Sequence, residues 1–280
     1  MQLTIIIVNY NGEAFLMDCI QSVQSQFNFF PDFKVIIFDN ASTDQSLHIL
    51  DKLNDHRFQI IKHPKNIGFP QAHNVLLPDL NTPFLWLLNN DTCFNHQQDA
   101  ISPILNHFKT DPQIVGISPK LLNTDGSLQS QGSGFSSFRF KRNHTTTVPF
   151  LSGASLFIRT SFFKKIGGFD PNLYFYNDDV DFALQAKKNG KKLIYFPSVS
   201  VTHHGGLSTQ SQQMETRVGG YIGSLYLCKK YYPLVVFIIY KWLVTLLIVI
   251  QYGHYRYINT KQSHWPDLLK KGLYRIRHEL

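Results

Sequence analysis

The segment Phe84–Phe94 reads "FLWLLNNDTCF" and begins with five large apolar residues in a row. A short continuous apolar run is typical of a strand that is buried on both faces. Such a strand commonly ends in a Gly or Pro turn, but this one ends at Asn89, Asn90 and Asp91. A carboxylate beside two amides at the end of a buried strand is a candidate ligand-binding group.

Two similar runs, "LTIIIVNY" and "FKVIIFDN", come earlier in the chain, and a weaker one, "RFQIIKH", follows them. The stretches between the runs include residues 14–26 and 44–53, whose patterns favour helices. Strands that alternate with helices predict an α/β fold, in which a mostly parallel sheet is covered by helices on both faces.

Polar residues stand where three of these predicted strands end, at Asn9, Asp39 and Asp91. Ligands bind at the carboxyl ends of the strands in sheets of this kind. The sequence therefore predicts one binding site at one edge of the sheet. A dinucleotide-binding dehydrogenase would need G-x-G-x-x-G after the first strand. The turn found there, "NYNGEAF", has a single glycine, which argues against that class.

Composition narrows the class of protein. The chain has 280 residues, of which 43% are hydrophobic, enough for a substantial core. The three cysteines, Cys19, Cys93 and Cys228, are far apart and match neither a disulfide framework nor a zinc site. The start, "MQLTIIIVNYNG", lacks the basic region and cleavage site of a signal peptide. We expect a cytoplasmic protein.

Positive charge is concentrated near the C-terminus. The formal net charge is +8, and the residues from Lys229 onward include nine Lys or Arg and two Asp or Glu. That segment therefore carries +7 and leaves +1 for everything before it. Because a nucleic-acid-binding protein would carry its charge on the folded domain, we expect no nucleic-acid partner.

Seven motifs follow one another between Leu3 and Ser208: "IIIVNYNG", "VIIFDNASTD", "NIGFPQAHN", "LLNNDT", "LSGASLFIR", "GGFDPNLYFYNDDVDF" and "VTHHGG". With them the sequence resembles the family-two glycosyltransferases, inverting enzymes with the GT-A fold, and in particular their rhamnosyltransferase-like branch. The resemblance implies a GT-A catalytic domain at residues 1–204, in which a Rossmann-like sheet binds the nucleotide sugar, followed by a C-terminal helical segment at 205–280.

The resemblance also implies an activity. It implies transfer of a sugar from a nucleoside diphosphate donor to a glycan or lipid-linked glycan, in the synthesis of bacterial surface polysaccharides, as in the rhamnosyltransferase-like branch. We expect dTDP-rhamnose as donor, although UDP-hexoses fit the same motifs. A non-catalytic scaffold that binds nucleotide sugars is the contrasting class. It would have no chemical need for Asp39, Asp91 and Asp179 together, and all three are present.

A divalent cation is expected at Asp91. Departure of a nucleoside diphosphate leaves negative charge that Mg²⁺ or Mn²⁺ can neutralise through oxygen ligands. By resemblance "NND" stands where relatives have Asp-x-Asp, so Asn89 is a departure from the pattern. The resemblance also makes His203 a metal ligand, in a motif that continues with Gly205, Gly206 and Ser208. The alternative for Asn90 and Asp91 is that they cap the next turn.

The donor-binding residues follow by resemblance too. Asp39 is expected to bind the pyrimidine base, and Gly68 to allow close approach of the backbone. The alternative role for Asp39 is to cap the next helix, but Ser42 or Thr43 is better placed for that cap. The alternative for Gly68 is an ordinary turn. The full predicted set on the donor is Asn9, Asn11, Asp39, Asn66, Gly68, Phe69, Asn89 and Asn90.

Three acids lie within four positions in "YNDDVDF". Crowded carboxylates raise the pKa of at least one of them, which suits a general base. By resemblance Asp179 is the base, Asp178 supports it or orients the acceptor, and Asp181 is the alternative base. The structural alternative is that the acids only favour the start of a helix.

The C-terminal run "PLVVFIIYKWLVTLLIVIQYG" is very apolar but contains Lys241 near its centre. A membrane-spanning helix needs about 20 apolar residues, so this run is marginal. Aromatic and cationic residues follow it, which suits an anionic membrane surface. The sequence favours peripheral attachment to the inner face of the cell membrane. A short anchor, a helix packed on the catalytic domain and a homodimer interface stay open.

Overall fold

The structure is a computed structural model that describes residues 1–129, 131, 134–173, 176–205, 213–258 and 265–278. The chain divides into two compact units. The sheet unit comprises Met1–Pro171 and Asp178–Ser208, and the helical unit comprises Asn172–Asn177 and Thr209–Leu280.

The sheet unit is built on one sheet with the strand order β3-β2-β1-β4-β8-β6-β9-β5, and β7 pairs with β9 beside this path. The strands are β1 (Leu3–Asn9), β2 (Phe33–Asp39), β3 (Phe58–Lys62), β4 (Phe84–Asn89), β5 (Thr92–Phe94), β6 (Ile114–Leu122), β7 (Thr146–Val148), β8 (Ser155–Arg159) and β9 (Lys192–His203).

Helices accompany the strands in the sheet unit and form the whole core of the helical unit. In the sheet unit they are α1 (Leu16–Ser25), α2 (Ser46–Asp51), α3 (Phe69–Leu76), α4 (Ser102–Thr110), α5 (Thr160–Lys165) and α6 (Asp178–Lys188), with 3₁₀ helices at Gln26–Asn28, Leu77–Asp79 and Gly134–Lys141. The helical unit contains α7 (Gln213–Tyr231), α8 (Leu234–Ile258) and α9 (Trp265–His278).

The predicted α/β fold is confirmed, and the sheet is mixed. Strands β3, β2, β1 and β4 are parallel, as the alternation of strands and helices predicts. Strand β8 then runs antiparallel to both β4 and β6. The apolar pattern of a buried strand carries no information about its direction, so this part of the topology was not predictable. Strand β9 is long, Lys192–His203, and its pairing with β6 shifts beside Pro197.

Two hydrophobic layers cover the faces of the sheet. Alternate residues of β1 point to opposite faces, so Ile5 and Ile7 pack with α1, α2 and α4, whereas Ile6 and Val8 pack with α3, α5 and α6. All seven residues of β1 are buried. The polar residues at the ends of the strands are therefore held on a rigid support.

The helical unit has a small core of its own, to which α7, α8 and α9 each contribute side chains. Two hydrogen bonds tie α7 to α8: Tyr240 to Ser224 at 3.1 Å, and Gln251 to Tyr221 at 3.0 Å. Among the described residues, one helical segment, Leu234–His254, is long and apolar enough to cross a membrane by length and composition.

Candidate active site

Asp39 and Asn9 form the first part of the site, because β1 and β2 pair in a register that sets Asn9 opposite Asp39. The Asn9 Nδ2 donates to Asp39 Oδ1 at 2.8 Å and to Ser42 Oγ at 3.0 Å. The Ser42 backbone N–H donates to Asp39 Oδ2 at 3.0 Å, and its hydroxyl donates to Oδ1 at 2.6 Å. Asp39 is 1% exposed. Its carboxylate thus fixes the turn after β2.

Helix α2 begins at Ser46 and not at Ser42 or Thr43, where the sequence suggested a cap. Asp44 holds its start instead, since Oδ1 accepts the Ser46 backbone N–H at 3.0 Å. Asp39 takes no part in that cap, because its carboxylate bonds to Ser42, which precedes the helix.

Asn90 links the end of β4 to this cluster. Its Nδ2 donates to Asn9 Oδ1 at 2.7 Å, so Asp39, Asn9 and Asn90 form a continuous chain of hydrogen bonds across three strand ends. A Cβ built on Gly12 would lie 2.1 Å from Asn90 Nδ2 and 2.5 Å from Asn9 Oδ1. Only glycine fits there without displacing these amides. Gly12 was not on the predicted list, although it ends the motif "IIIVNYNG".

Asn11 joins the first two loops from the other side. Its backbone adopts φ +50°, and its Oδ1 accepts the Thr43 backbone N–H at 2.8 Å. Its own backbone N–H donates to Ser42 Oγ at 3.0 Å. Ser42 is therefore shared by both loops, a role that sequence reasoning missed because only the fold brings together residues that are 31 and 33 positions apart.

The loop before α3 is held against the end of β2. Asn66 Oδ1 accepts the Gly68 backbone N–H at 2.9 Å and the Asn40 amide at 3.0 Å. Asn40 Oδ1 in turn accepts the Ile67 backbone N–H at 2.9 Å. Gly68 adopts φ +82°, a conformation that favours glycine, just before α3. Phe69 follows and packs against the core with its ring 4.3 Å from that of His73.

Asp91 and His203 form the next part of the site. Strand β5 pairs antiparallel with β9, which sets Thr92 opposite His203, and the His204 backbone N–H donates to Asp91 O at 2.9 Å. His203 Nε2 consequently lies 3.3 Å from Asp91 Oδ1. The Asp91 residue is 6% exposed. Asn89 Nδ2 lies 3.4 Å from the same Nε2, so the Asn that departs from the family pattern faces the histidine.

Gln129 sets the orientation of the His203 ring. Its Nε2 donates to Asn123 Oδ1 and to His203 O, both at 3.1 Å, which leaves Oε1 to accept a proton from His203 Nδ1 at 2.7 Å. In the neutral ring the proton is then on Nδ1, and the Nε2 lone pair faces Asp91. A histidine oriented through its other nitrogen is typical of a metal ligand. Gln129 has no counterpart among the residues that the sequence singled out.

The three acids lie in the first turn of α6. Asp179 accepts the Gly153 backbone N–H on Oδ2 at 3.2 Å and the Val180 backbone N–H on Oδ1 at 2.8 Å. Asp178 is 7% exposed and Asp181 is 3% exposed, while Asp179 is partly exposed. Asp179 is therefore the most exposed of the three acids, although burial still affects its carboxyl group.

Burial raises the pKa of Asp178, and the neighbouring Asp179 carboxylate adds to the effect. Burial also raises the pKa of Asp179, although its backbone hydrogen bonds act in the opposite direction. Both carboxyl groups therefore hold their protons more tightly than a free carboxyl, whose pKa is about 4.

The sheet connects the acids to the other residues. The Asn89 backbone N–H donates to Ala154 O at 3.0 Å, and Ala154 follows Gly153, which holds Asp179. The end of β4 and the acid cluster thus meet at the same edge. Among the described residues no group of three or more His, Cys, Asp or Glu is arranged to hold a metal. Gly206 and Ser208, from the predicted "VTHHGG" motif and its continuation, lie outside the described residues.

A mixed α/β sheet that gathers polar loops, a carboxylate–histidine pair and a buried acid cluster at one edge defines a protein of the GT-A type. The chain belongs to glycosyl transferase family 2, whose profile matches residues 4–167. A related profile, glycosyl transferase family group 2, matches residues 87–261.

Curated relatives include a polymerase and a rhamnosyltransferase. The chain is 30% identical over 131 residues to the teichoic acid poly(glycerol phosphate) polymerase of Staphylococcus epidermidis, covering 41% of this chain and 18% of that protein. It is 24% identical over 208 residues to the N-acetylglucosaminyl-diphospho-decaprenol L-rhamnosyltransferase of Mycobacterium tuberculosis, covering 62% of this chain and 67% of that enzyme. The chain thus spans less than a fifth of the first relative.

Solved structures share the fold. The mannosyltransferase PcManGT of Pyrobaculum calidifontis, in complex with GDP-Man and Mn²⁺, has a TM-score of 0.64 at 12% identity over 99% of this chain and 87% of that one. Staphylococcus aureus TarS 1–349 in complex with UDP-GlcNAc has a TM-score of 0.59 at 16% identity, over 99% of this chain and 81% of that one. The predicted GT-A fold and the predicted family are confirmed.

Proposed function

We propose that the chain transfers a sugar, with inversion, from a nucleoside diphosphate donor to a hydroxyl of a glycan or lipid-linked glycan. The observation that carries the proposal is the Asp91–His203 pair, 3.3 Å apart at the end of β4. It stands beside the hydrogen-bonded cluster of Asp39, Asn9 and Asn90 at the neighbouring strand ends. This is where an α/β sheet binds its ligand.

Asp91 and His203 would hold a divalent cation, Mg²⁺ or Mn²⁺, together with oxygens of the diphosphate. The fit rests on the Asp91 carboxylate and on His203 Nε2, whose lone pair is directed by the Gln129 hydrogen bond. Two neighbours of the same fold, PcManGT and GalNAc-T7, were crystallised with Mn²⁺. When bound, such a cation supplies Lewis-acid neutralisation of the departing diphosphate.

The donor would lie along the loops after β1, β2 and β3. We propose that Asp39 binds the base. The rest of the nucleotide sugar would be surrounded by Gly68, Phe69 and the amides of Asn9, Asn11, Asn66, Asn89 and Asn90. The hydrogen bonds within these loops would preorganise them for donor binding. Prepared loops bind a ligand with a smaller loss of conformational entropy.

Two donors are candidates. We propose dTDP-rhamnose, supported by the Mycobacterium tuberculosis relative that is named as a rhamnosyltransferase. A UDP-hexose is the second candidate, supported by the TarS structures that contain UDP or UDP-GlcNAc.

Asp179 would act as general base. It removes the proton from the acceptor hydroxyl as that oxygen forms its bond to the anomeric carbon, while the bond from that carbon to the diphosphate breaks. The raised pKa of Asp179 suits it to accept a proton near neutral pH. Asp178 would support the base or orient the acceptor, and Asp181 is the alternative base.

Residues 1–204 would then form the catalytic domain and residues 205–280 a membrane-associating segment. The relatives named as teichoic acid and lipid-linked glycan enzymes support a cytoplasmic protein at the inner face of the cell membrane. A peripheral position would bring the site to a lipid-linked acceptor.

Thermal unfolding of the full chain against a panel of nucleotide sugars, with and without Mn²⁺, tests the proposal. Ligands that bind the folded state raise its apparent stability in proportion to the logarithm of their concentration. We expect one donor class to raise the Tm only when Mn²⁺ is present, and sugar transfer to follow. Stabilisation by a donor without turnover in the presence of lipid-linked acceptors would favour the non-catalytic scaffold.

A further inference from the structure

Helix α8 has two opposite faces of different exposure. Phe237, Val244 and Ile248 are buried against α7 and α9. On the opposite face, residues spaced by three or four positions form a stripe that we call the outer stripe: Val235, Ile239, Trp242, Leu246 and Ile250. Their exposed fractions run from 56% for Leu246 to 73% for Trp242. So large an exposed apolar surface marks an interaction site.

Lys241 does not interrupt the outer stripe. On a helix of 3.6 residues per turn it projects toward the side of Phe237, and its Nζ lies 5.8 Å from the Phe237 ring. The charge that made a membrane contact unfavourable in the linear sequence therefore lies on the other side of the helix.

The neighbouring helices limit how α8 can meet a bilayer. Helix α9 packs along α8 through Leu269 and Ile276, and it exposes Lys270, Lys271 and Arg277 on its other side. If α8 crossed the membrane, α9 would carry these cations into the hydrocarbon beside it. Charged side chains are very unfavourable there. The packing thus favours a helix that lies in the plane of the membrane surface.

The positive charge of the C-terminal segment indicates which partner the outer stripe contacts. The residues from Lys229 onward carry a balance of +7, which attracts anionic headgroups and repels a second copy of the same unit. Trp242, at the centre of the outer stripe, is a residue that is enriched where bilayer and water meet. The helical unit as a whole is therefore amphipathic, apolar on α8 and cationic on α9.

We propose that α8 lies parallel to the surface of an anionic bilayer, with the outer stripe among the acyl chains and the net positive charge of the segment attracting the anionic headgroups. The proposal rests on the membrane association given above and adds the surface and the orientation. Donor binding does not enter it, so the two can fail separately.

Vesicle flotation of the full chain tests the surface. Phosphatidylcholine vesicles that contain phosphatidylglycerol should bind the protein, and pure phosphatidylcholine vesicles should bind it at least tenfold more weakly. The double variant Ile239→Glu/Leu246→Glu should lose at least tenfold in affinity. The matched control is Val75→Glu, a similarly exposed apolar residue on α3, which should bind as wild type. If the double variant binds vesicles as tightly as wild type, the outer stripe is not the membrane-binding surface and the proposal is wrong.

Tryptophan quenching by brominated lipids tests the orientation. In a Trp242→Phe background, Val235 or Ile250 is replaced by tryptophan. The background variant alone measures the signal of the two remaining tryptophans. Equal depths at positions 235, 242 and 250 are expected for a helix in the plane. A spanning helix would separate the two ends by roughly 22 Å, at 1.5 Å per residue, and would overturn the proposal.

If the protein binds neither vesicle type and forms a dimer through the outer stripe, the stripe is an interface between two copies and the proposal is wrong. A far-ultraviolet circular dichroism spectrum and a cooperative thermal transition like those of wild type show that each variant is folded. This readout keeps a loss of membrane affinity separate from a loss of structure.

Discussion

His203 Nε2 lies 3.3 Å from Asp91 Oδ1, and the opposite ring nitrogen is held by Gln129 Oε1 at 2.7 Å. Two neighbouring strands, β5 and β9, create this relationship by pairing Thr92 with His203. The pairing of these strands therefore sets the spacing of the carboxylate and the imidazole. A site of this kind needs little rearrangement to accept a cation.

Asp91→Asn should remove most of the metal dependence of nucleoside diphosphate binding, because the amide keeps the shape but loses the charge. Isothermal calorimetry with the diphosphate, in Mn²⁺ and in EDTA, measures the difference. Equal Mn²⁺ enhancement in the variant and in wild type would remove Asp91 from the metal site.

Gln129→Leu should weaken Mn²⁺ binding by roughly 10- to 100-fold, the usual effect of losing the group that orients a histidine ligand. The reason is that His203 Nδ1 would lose its acceptor and the ring its fixed tautomer. Titration of Mn²⁺ followed by electron paramagnetic resonance gives the affinity. Gln113→Leu, in a residue whose side chain accepts from Lys191 at an exposed position, serves as the control. Wild-type affinity in Gln129→Leu would contradict the assigned role.

Much of this site lies beyond sequence reasoning. The ends of β1, β2 and β4 were predictable, because continuous apolar runs mark buried strands and their polar ends mark the ligand edge. The partners Ser42 and Gln129 were not, since their hydrogen bonds join residues 33 and 74 positions apart. No local pattern encodes such a contact.

Gly12→Ala should weaken donor binding and lower stability by about 1–3 kcal/mol, the usual cost of overpacking. The new Cβ would lie 2.1 Å from Asn90 Nδ2, so the amide must move and break its bond to Asn9. Gly220→Ala is the matched control, as nothing lies within 4 Å of its Cβ position. Denaturant unfolding and calorimetry with the donor measure both effects. If both alanine variants behave alike, the close approach at Gly12 has no consequence.

Asp178 should make stability fall as pH rises. The folded-state pKa of Asp178 is above the unfolded value of about 4, so its contribution is fully present below that pH and is lost as pH rises through the folded pKa. Asp178→Asn removes the buried charge. We expect its Tm to exceed that of wild type at pH 8, with the difference disappearing near pH 4. A difference that does not depend on pH would contradict the raised pKa.

Asp179→Asn is the most direct test of the account, since the base is its central chemical claim. Single-turnover transfer at saturating donor should fall by at least about 10²-fold, the range expected for a lost general base, with donor affinity unchanged. Asp178→Asn should cost less, and the wild-type rate should rise with pH through the raised pKa of Asp179 as the carboxyl loses its proton. Near wild-type transfer by Asp179→Asn, together with an inactive Asp181→Asn, would contradict the account and assign the base to Asp181.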